Sequence, residues 1–331
     1  MSRGRLVIGI VGVFSLVVGG AVAWRVVAQR RQAASLAGSP AEGVDLGSTA
    51  AVLKAARTYI GGQELGKAEA VLRRALETRP DDALMREMLG DVLLQGEDEA
   101  GAMAQYADLA DRTDATAEVL FKAGSLAAGM GDHDRAVGYL TRSLEKDAGL
   151  IDASVQLANA ELELGRIDDA KATLARAAVL DDGLGVVWGM LAEIAVRENR
   201  LEIATQHIEK ARRIEPDNLA WRVLEARVKR RQGEPETAVM LLDGIRGDDR
   251  FEPPVLEEMA SALGMLGRGE DALSIYRVAV RERPDDAEIR YQAAVWAERE
   301  GARAEALEFA RVAAMMGDER AKAVVKRLEE D

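Results

Sequence analysis

Residues 83–116 read ALMREMLGDVLLQGEDEAGAMAQYADLADRTDAT, and residues 117–150 read AEVLFKAGSLAAGMGDHDRAVGYLTRSLEKDAGL. Both stretches are 34 residues long and align without a gap. The same period extends from residue 49 to residue 320 and places alanine in one column eight times, at Ala68, Ala102, Ala136, Ala170, Ala204, Ala238, Ala272 and Ala306. A fixed period of this length is the signature of a repeat architecture, in which each copy forms one supersecondary unit.

Two helices are predicted in each repeat. In the second helix, apolar residues follow the alanine column at offsets of four and seven, which places them on one helical face. The first helix has its own column of small residues: Ala56, Gly90, Gly124, Ala158, Ala192, Ala226, Ala260 and Ala294. The turn between the helices carries residues suited to a stop with a positive φ: Gly62, Gly96, Gly131, Gly165, Asn199, Gly233, Gly267 and Gly301. We therefore expect helical hairpins that pack closely through small side chains, with no insertion or deletion along the array.

These features resemble the tetratricopeptide repeat family over residues 49–320. Leu89 and Gly90 match the family's large and small positions, Trp188 occupies its tryptophan position, and Pro80 closes a repeat as it does in the family. The resemblance implies an all-α fold, a right-handed α-solenoid of eight helix-turn-helix repeats that begin at residues 49, 83, 117, 151, 185, 219, 253 and 287. Residues 321–331 are predicted to form a capping helix, because their apolar residues fall on one face.

A membrane segment is expected to precede this solenoid. Residues 6–24 carry no charge, and as a helix they would be about 28 Å long, close to the hydrocarbon thickness of a bilayer. We interpret residues 1–28 as an N-terminal transmembrane anchor or uncleaved signal, with contact to the membrane through residues 6–24. Cleavage after residue 23 is the alternative, since Ala21-Val22-Ala23 fits the small-x-small pattern of signal peptides.

The localisation expected from this segment is a single-pass protein of the bacterial inner membrane. Arginines flank both ends in similar numbers, so the topology is left open, with the repeats placed provisionally on the periplasmic side. Residues 29–48 include Gly, Ser and Pro and have no apolar period, which is typical of a flexible linker.

Composition argues against most catalytic chemistry. The chain has no cysteine and two histidines, His133 and His207, which lie in different repeats. It therefore lacks thiol nucleophiles and cysteine metal sites, and no nucleophile elbow or phosphate-binding loop occurs. The net charge of −13 opposes binding to nucleic acid. We predict a protein that is not an enzyme, with no catalytic residues, no cofactor, no metal site, no nucleic-acid partner and no evident small-molecule substrate.

A candidate binding surface follows from the family resemblance, which implies that positions 2, 5, 9, 12 and 13 of the first helices line a concave groove. These positions are acidic in the second to fourth repeats and basic in the fifth and sixth, which gives the candidate partner-binding residues Glu87, Asp91, Asp152, Asn159, Arg197, Arg227, Arg230 and Arg231. Among the groove positions of the fifth and sixth repeats, only Glu193 opposes the arginines.

The arginines have two interpretations. They are a cradle for an acidic peptide segment or chain terminus, because arginine binds carboxylates bidentately, or they are a solvated helix face. On the first interpretation, reversing Arg227 and Arg230 to glutamate is expected to abolish partner capture and leave the melting temperature unchanged, since exposed charges contribute little to stability.

Together these features predict a membrane-tethered scaffold for protein partners. It would bind peptide segments in its groove and assist assembly of a bacterial cell-envelope complex. Two alternatives remain open: an exported soluble binding protein after signal cleavage, and a non-catalytic subunit of an envelope enzyme.

Overall fold

The computed structural model describes residues 43–330, which contain seventeen α-helices, one 3-10 helix and no β-strand. Residue contacts divide the chain after Asp147 into two compact units, here called the N-terminal block and the C-terminal block. The N-terminal block contains α1 (Thr49–Gly61), α2 (Leu65–Thr78), α3 (Ala83–Gln95), α4 (Glu99–Ala110), α5 (Ala117–Gly129) and α6 (His133–Lys146). The all-α class predicted from the sequence is confirmed.

The C-terminal block contains eleven of the helices. They are α7 (Ile151–Glu163), α8 (Ile167–Leu180), α9 (Gly185–Arg197), α10 (Leu201–Ile214), α11 (Leu219–Arg231), α12 (Pro235–Asp243), α13 (Pro253–Met265), α14 (Gly269–Glu282), α15 (Ala287–Arg299), α16 (Arg303–Met315) and α17 (Glu319–Glu330). Each block is a stack of helical hairpins, because the two helices of a repeat pack against each other across a short turn.

The core of each hairpin is formed by the small-residue columns. All eight residues of the alanine column are buried, from Ala68 to Ala306. In the N-terminal block a Cβ atom on Gly90 would lie 2.6 Å from Cε1 of Tyr106, and one on Gly124 would lie 2.6 Å from Cγ of Leu140. Only glycine fits at these two positions, because a large side chain of the second helix occupies the space beside the first.

The turns differ from the prediction in the first two repeats. The left-handed residue recurs every 34 positions, at Gln63, Glu97, Gly131, Gly165, Asn199, Gly233, Gly267 and Gly301. Gly62 and Gly96 precede it by one residue and have φ angles of −84° and −83°. Gln63 and Glu97 therefore take positive φ angles of 59° and 63°, which are unfavourable for residues with a side chain.

The sixth repeat departs from the regular pattern. Its second helix, α12, has nine residues and ends at Asp243 with Gly244 as its C-cap, whereas α10 in the preceding repeat has fourteen residues. A 3-10 helix follows at Gly247–Phe251, and Phe251 is buried in the core of the later repeats. The helix stops early because Gly244 and Gly247 are poor helix formers, each costing about 1 kcal/mol relative to alanine within a helix.

The expected membrane localisation is corrected by the structure. No helix within residues 43–330 is both long enough and apolar enough to span a bilayer. Residues 6–24, on which the expectation of a single-pass inner-membrane protein depended, lie outside the described residues, as do residues 1–28 and most of the 29–48 linker. The assignment to an envelope complex depended on that segment and is withdrawn with it.

The last helix covers the end of the C-terminal block. In α17, Ala321, Val324 and Leu328 are buried, and the backbone N–H of Ala321 donates to Asp318 at 3.1 Å. The helix begins two residues before the predicted capping segment, 321–331, because Asp318 caps its first turn.

Candidate functional site

The predicted basic residues lie on two neighbouring first helices of the C-terminal block. Arg197 is the last residue of α9, and Arg227, Arg230 and Arg231 lie in the last two turns of α11. Arg227 and Arg230 are three residues apart and therefore share one face of α11. That face is turned towards α13, where the carboxylate of Glu258 accepts hydrogen bonds from both arginines.

Glu258 is the centre of this cluster. Its Oε1 accepts from Nε of Arg227 at 2.7 Å, and its Oε2 accepts from Nε of Arg230 at 2.9 Å. The Glu258 side chain is only 4% exposed, so its charge depends on these two guanidinium groups. Burial alone would lower the pKa of Arg227, and the hydrogen bond with Glu258 raises it above its ordinary value.

The other two arginines have different partners. Arg231 donates to the carbonyl oxygen of Val196 at 2.6 Å and to Asn199 at 3.0 Å, and so satisfies the carboxyl end of α9. Arg197 lies 3.6 Å from Glu193, and half of its side chain is exposed. Glu193 also approaches Nη1 of Arg227 at 3.4 Å.

We call this set of six residues the arginine surface: Arg197, Arg227, Arg230, Arg231, Glu193 and Glu258. Its four arginines and two glutamates give a net charge of +2. Among the groove positions Glu193 was the one expected carboxylate, and Glu258 of the seventh repeat, which is not at a groove position, is a second carboxylate that opposes the arginines. The expectation that Arg227 and Arg230 can be reversed without loss of stability is corrected for the same reason, because both hold a buried carboxylate.

The predicted acidic residues of the N-terminal block also have a counter-ion. Nζ of Lys122 on α5 lies 2.7 Å from Oε1 of Glu87 and 3.0 Å from Oδ1 of Asp91, both on α3. The hydroxyl of Tyr106 donates to Asp91 at 2.6 Å. Burial alone would lower the pKa of Lys122, and its hydrogen bonds with Glu87 and Asp91 raise it instead.

Lys122 and Glu258 were missed by sequence reasoning, although a signal exists. Each lies 31 residues after the residue it pairs with, Lys122 after Asp91 and Glu258 after Arg227. This offset joins position 9 of one repeat to position 6 of the next. The groove positions implied by the family resemblance do not include position 6, so both partners were overlooked.

The two remaining candidates stand apart from the arginine surface. Asp152 and Asn159 are exposed on α7, and neither side chain makes a hydrogen bond or an ion pair with any residue between 43 and 330. Asn159 occupies position 9 of its repeat, as Glu193 and Arg227 do in theirs. The structure therefore brings together the four arginines and leaves these two side chains unpaired.

The two histidines lie on different helices, His133 at the start of α6 and His207 in α10. His207 stacks on Trp188 with ring centroids 5.5 Å apart. Burial lowers the pKa of His207, and the charges of Lys210 and Arg200 lower it further. Among residues 43–330 no group of three metal-ligating side chains occurs.

Comparisons with known proteins agree with this fold. Residues 53–118 and residues 127–194 each match a family model described as Tetratricopeptide repeat. Among solved structures the chain is similar to yeast Tom70, with 15% identity, a TM-score of 0.58, and coverage of 86% of this chain and 60% of that chain. Among curated proteins, no sequence matches this chain.

Two further structures show the same likeness. A tetratricopeptide repeat protein from Parabacteroides merdae has 15% identity and a TM-score of 0.56, with coverage of 84% of this chain and 97% of that chain. A chain in the APC/C hetero-tetramer Cut9-Hcn1 has 15% identity and a TM-score of 0.53, with coverage of 90% of this chain and 58% of that chain. At these identities the likeness concerns the fold alone, and this chain spans less than two thirds of the Cut9-Hcn1 and Tom70 chains. Residues 53–118 and 127–194 are therefore similar to tetratricopeptide repeats, and the fold is all-helical over residues 43–330.

Proposed function

We propose that the repeats bind acidic peptide segments of partner proteins on the first-helix face of the C-terminal block. The observation that supports this function is the net charge of +2 on the arginine surface, in a chain whose total charge is −13. The two glutamates balance two of the four arginine charges, and the remaining surplus lies on two consecutive first helices, where an anionic ligand would be attracted.

The arginine surface retains donors after its internal pairs are formed. Within the described residues, Nη2 of Arg227 and Nη1 of Arg230 have no hydrogen-bond partner. Arg197 is half exposed, and its contact with Glu193 is long. Glu258 holds Arg227 and Arg230 in place from the buried side, so their remaining donors are positioned before a ligand arrives.

Asn159 extends this surface by one repeat. Its exposed amide is available for a peptide backbone group, which suits a ligand that runs across successive first helices. Glu87 and Asp91 already share Lys122, so we assign them no ligand, and Asp152 would repel an acidic one.

The test uses Arg197, because this arginine carries no buried partner. The probe is a glycine-serine peptide with a central pair of glutamates, labelled for fluorescence anisotropy and titrated with the full chain. Arg197→Glu is expected to weaken binding about tenfold or more, which corresponds to the loss of one good charge pair. The matched control is Arg213→Glu, which makes the same charge change at an exposed residue of α10, a second helix.

Binding is also expected to weaken as salt rises, because the contacts are exposed charges. Equal affinities of Arg197→Glu and Arg213→Glu for the peptide would refute the proposed function. So would binding that does not change between low and high salt.

A further inference from the structure

A cleft of about 470 Å³ lies within the C-terminal block, next to the arginine surface and outside it. Ser261, Gly264 and Met265 of α13 line one wall, and Trp296 and Arg299 of α15 line the other. The three α13 residues occupy repeat positions 9, 12 and 13. In the preceding repeat the same positions are occupied by Arg227, Arg230 and Arg231. The seventh repeat therefore has small or apolar residues at the positions where the sixth has arginine.

Two of the lining residues, Trp296 and Gly264, are in close contact. A Cβ atom on Gly264 would come within 2.7 Å of Cη2 of Trp296, so any other residue would push the ring away. Trp296 is 7% exposed, and Met265 at the rim is 54% exposed. The cleft therefore offers apolar surface beside a long side chain that is able to move aside or close over a ligand.

The charge of the cleft is set by Arg299. Its guanidinium carbon lies 4.9 Å from the centre of the Trp296 ring, and it has no carboxylate partner among residues 43–330. Glu300 is the one carboxylate among the lining residues, and it forms no ion pair with Arg299. An unpaired arginine stacked on tryptophan, beside exposed methionine, is complementary to a ligand that combines an apolar group with an anion.

We propose that this cleft receives an apolar side chain of the same acidic peptide, with a nearby peptide carboxylate at Arg299. The proposal rests on the function proposed above and adds a sequence requirement to it. Neighbouring packed helices are about 8–10 Å apart, and an extended chain advances about 3.3 Å per residue. The cleft and Arg230 lie on first helices of neighbouring repeats, a distance that an extended peptide spans in about three residues. The apolar residue of the peptide is therefore expected about three positions from the acidic residue that binds the arginine surface.

The experiment compares two peptides on the full chain. The leucine peptide carries a central pair of glutamates with a leucine three residues away on each side, and the serine peptide replaces both leucines. Met265→Glu introduces a carboxylate next to Arg299 and removes apolar surface at an exposed position. Met240→Glu, on α12 and 70% exposed, is the matched control for the same change at another exposed methionine.

The leucine peptide is expected to bind the wild-type chain about tenfold more tightly than the serine peptide, because one leucine side chain is removed from water. Met265→Glu should bring this ratio close to one, because the variant lacks the apolar surface that leucine contacts, and Met240→Glu should keep the ratio. The new carboxylate should also weaken the serine peptide somewhat, because it competes with the peptide for Arg299. Equal affinities of the two peptides for the wild-type chain would overturn the cleft proposal, and so would a tenfold ratio that survives in Met265→Glu. If the serine peptide fails to bind the wild-type chain, the result counts against the arginine surface and not against the cleft. Failure of the proposed function and failure of the cleft proposal are therefore distinguishable.

Discussion

Each block contains a cluster in which one central charge pairs with two charges of the opposite sign, and the central charge is positive in the N-terminal block and negative in the C-terminal block. In the N-terminal block the cation of Lys122 holds Glu87 and Asp91, and in the C-terminal block the anion of Glu258 holds two arginines. Each links position 9 of one repeat to position 6 of the next. The clusters differ in burial, since the central side chain is 24% exposed for Lys122 and 4% exposed for Glu258. Most of the charged residues predicted to bind a ligand thus form ion pairs between repeats. Only the positive charge that these pairs leave unbalanced is available to a ligand.

The largest effect is expected from removing the cations around Glu258. Replacing Arg227 and Arg230 together with methionine leaves a buried carboxylate without a counter-ion, which typically costs about 3–5 kcal/mol of unfolding free energy. Thermal melts of the full chain followed by circular dichroism should show a large drop in midpoint. Arg213→Met is the control, and an unchanged midpoint in the double variant would mean that Glu258 is not held by these arginines.

A smaller loss is expected at the other cluster. Lys122→Met keeps the length of the side chain and removes its charge, but Glu87 and Asp91 remain accessible to water. We expect a loss of about 2 kcal/mol, and we expect 1 M NaCl to narrow the difference from the wild type. If Lys122→Met costs as much as the double arginine variant, burial of the central charge does not decide the energetics.

A matched pair of tyrosines sharpens the comparison. Tyr106 donates to Asp91 at 2.6 Å, whereas Tyr276, five repeats later in the same column, has no hydrogen-bond partner among the described residues. Burial raises the pKa of both phenols above the ordinary value. Tyr106→Phe should cost about 1 kcal/mol, and Tyr276→Phe should be close to neutral in the same melts. Equal losses would show that the hydroxyl of Tyr106 adds nothing to the acidic cluster.

The turns provide the smallest expected effect, and it has the opposite sign. Glu97 has a φ of 63°, whereas the same column of the C-terminal block holds glycine in every repeat except at Asn199. Glu97→Gly should raise stability by about 0.5–1 kcal/mol, because glycine adopts this conformation without strain. Gly131→Ala tests the reverse and should destabilise the N-terminal block. A destabilised Glu97→Gly variant would contradict the assignment of the left-handed column.

The regular part of the fold could be predicted because its causes are local. Helix faces, buried alanines and the first helix of each repeat follow from spacing within 34 residues. The shift of the left-handed residue from Gly96 to Glu97 could not be read from residue type, since a glycine next to the turn looks like the turn itself. The short helix of the sixth repeat was missed because the repeat keeps its length, and Gly244 and Gly247 break the helix without an insertion.

Only part of the candidate site could be predicted from the sequence. The arginines could be found because four of them occur at groove positions of neighbouring repeats. Glu258 and Lys122 escaped notice because a charge pair between repeats joins residues 31 positions apart, outside the range of helical periodicity. The cleft at Trp296 required coordinates, since the close contact of that ring with Gly264 could not be predicted from the sequence.

A reciprocal charge exchange tests the central claim most directly. The glutamate peptide and a version with lysines in place of the glutamates are titrated with the wild-type chain and with Arg197→Glu, with the melting midpoint of each recorded. We predict that the variant loses the glutamate peptide about tenfold, gains affinity for the lysine peptide, and melts at the wild-type temperature, because Arg197 is half exposed. Unchanged affinities of both peptides in a folded variant would contradict the account.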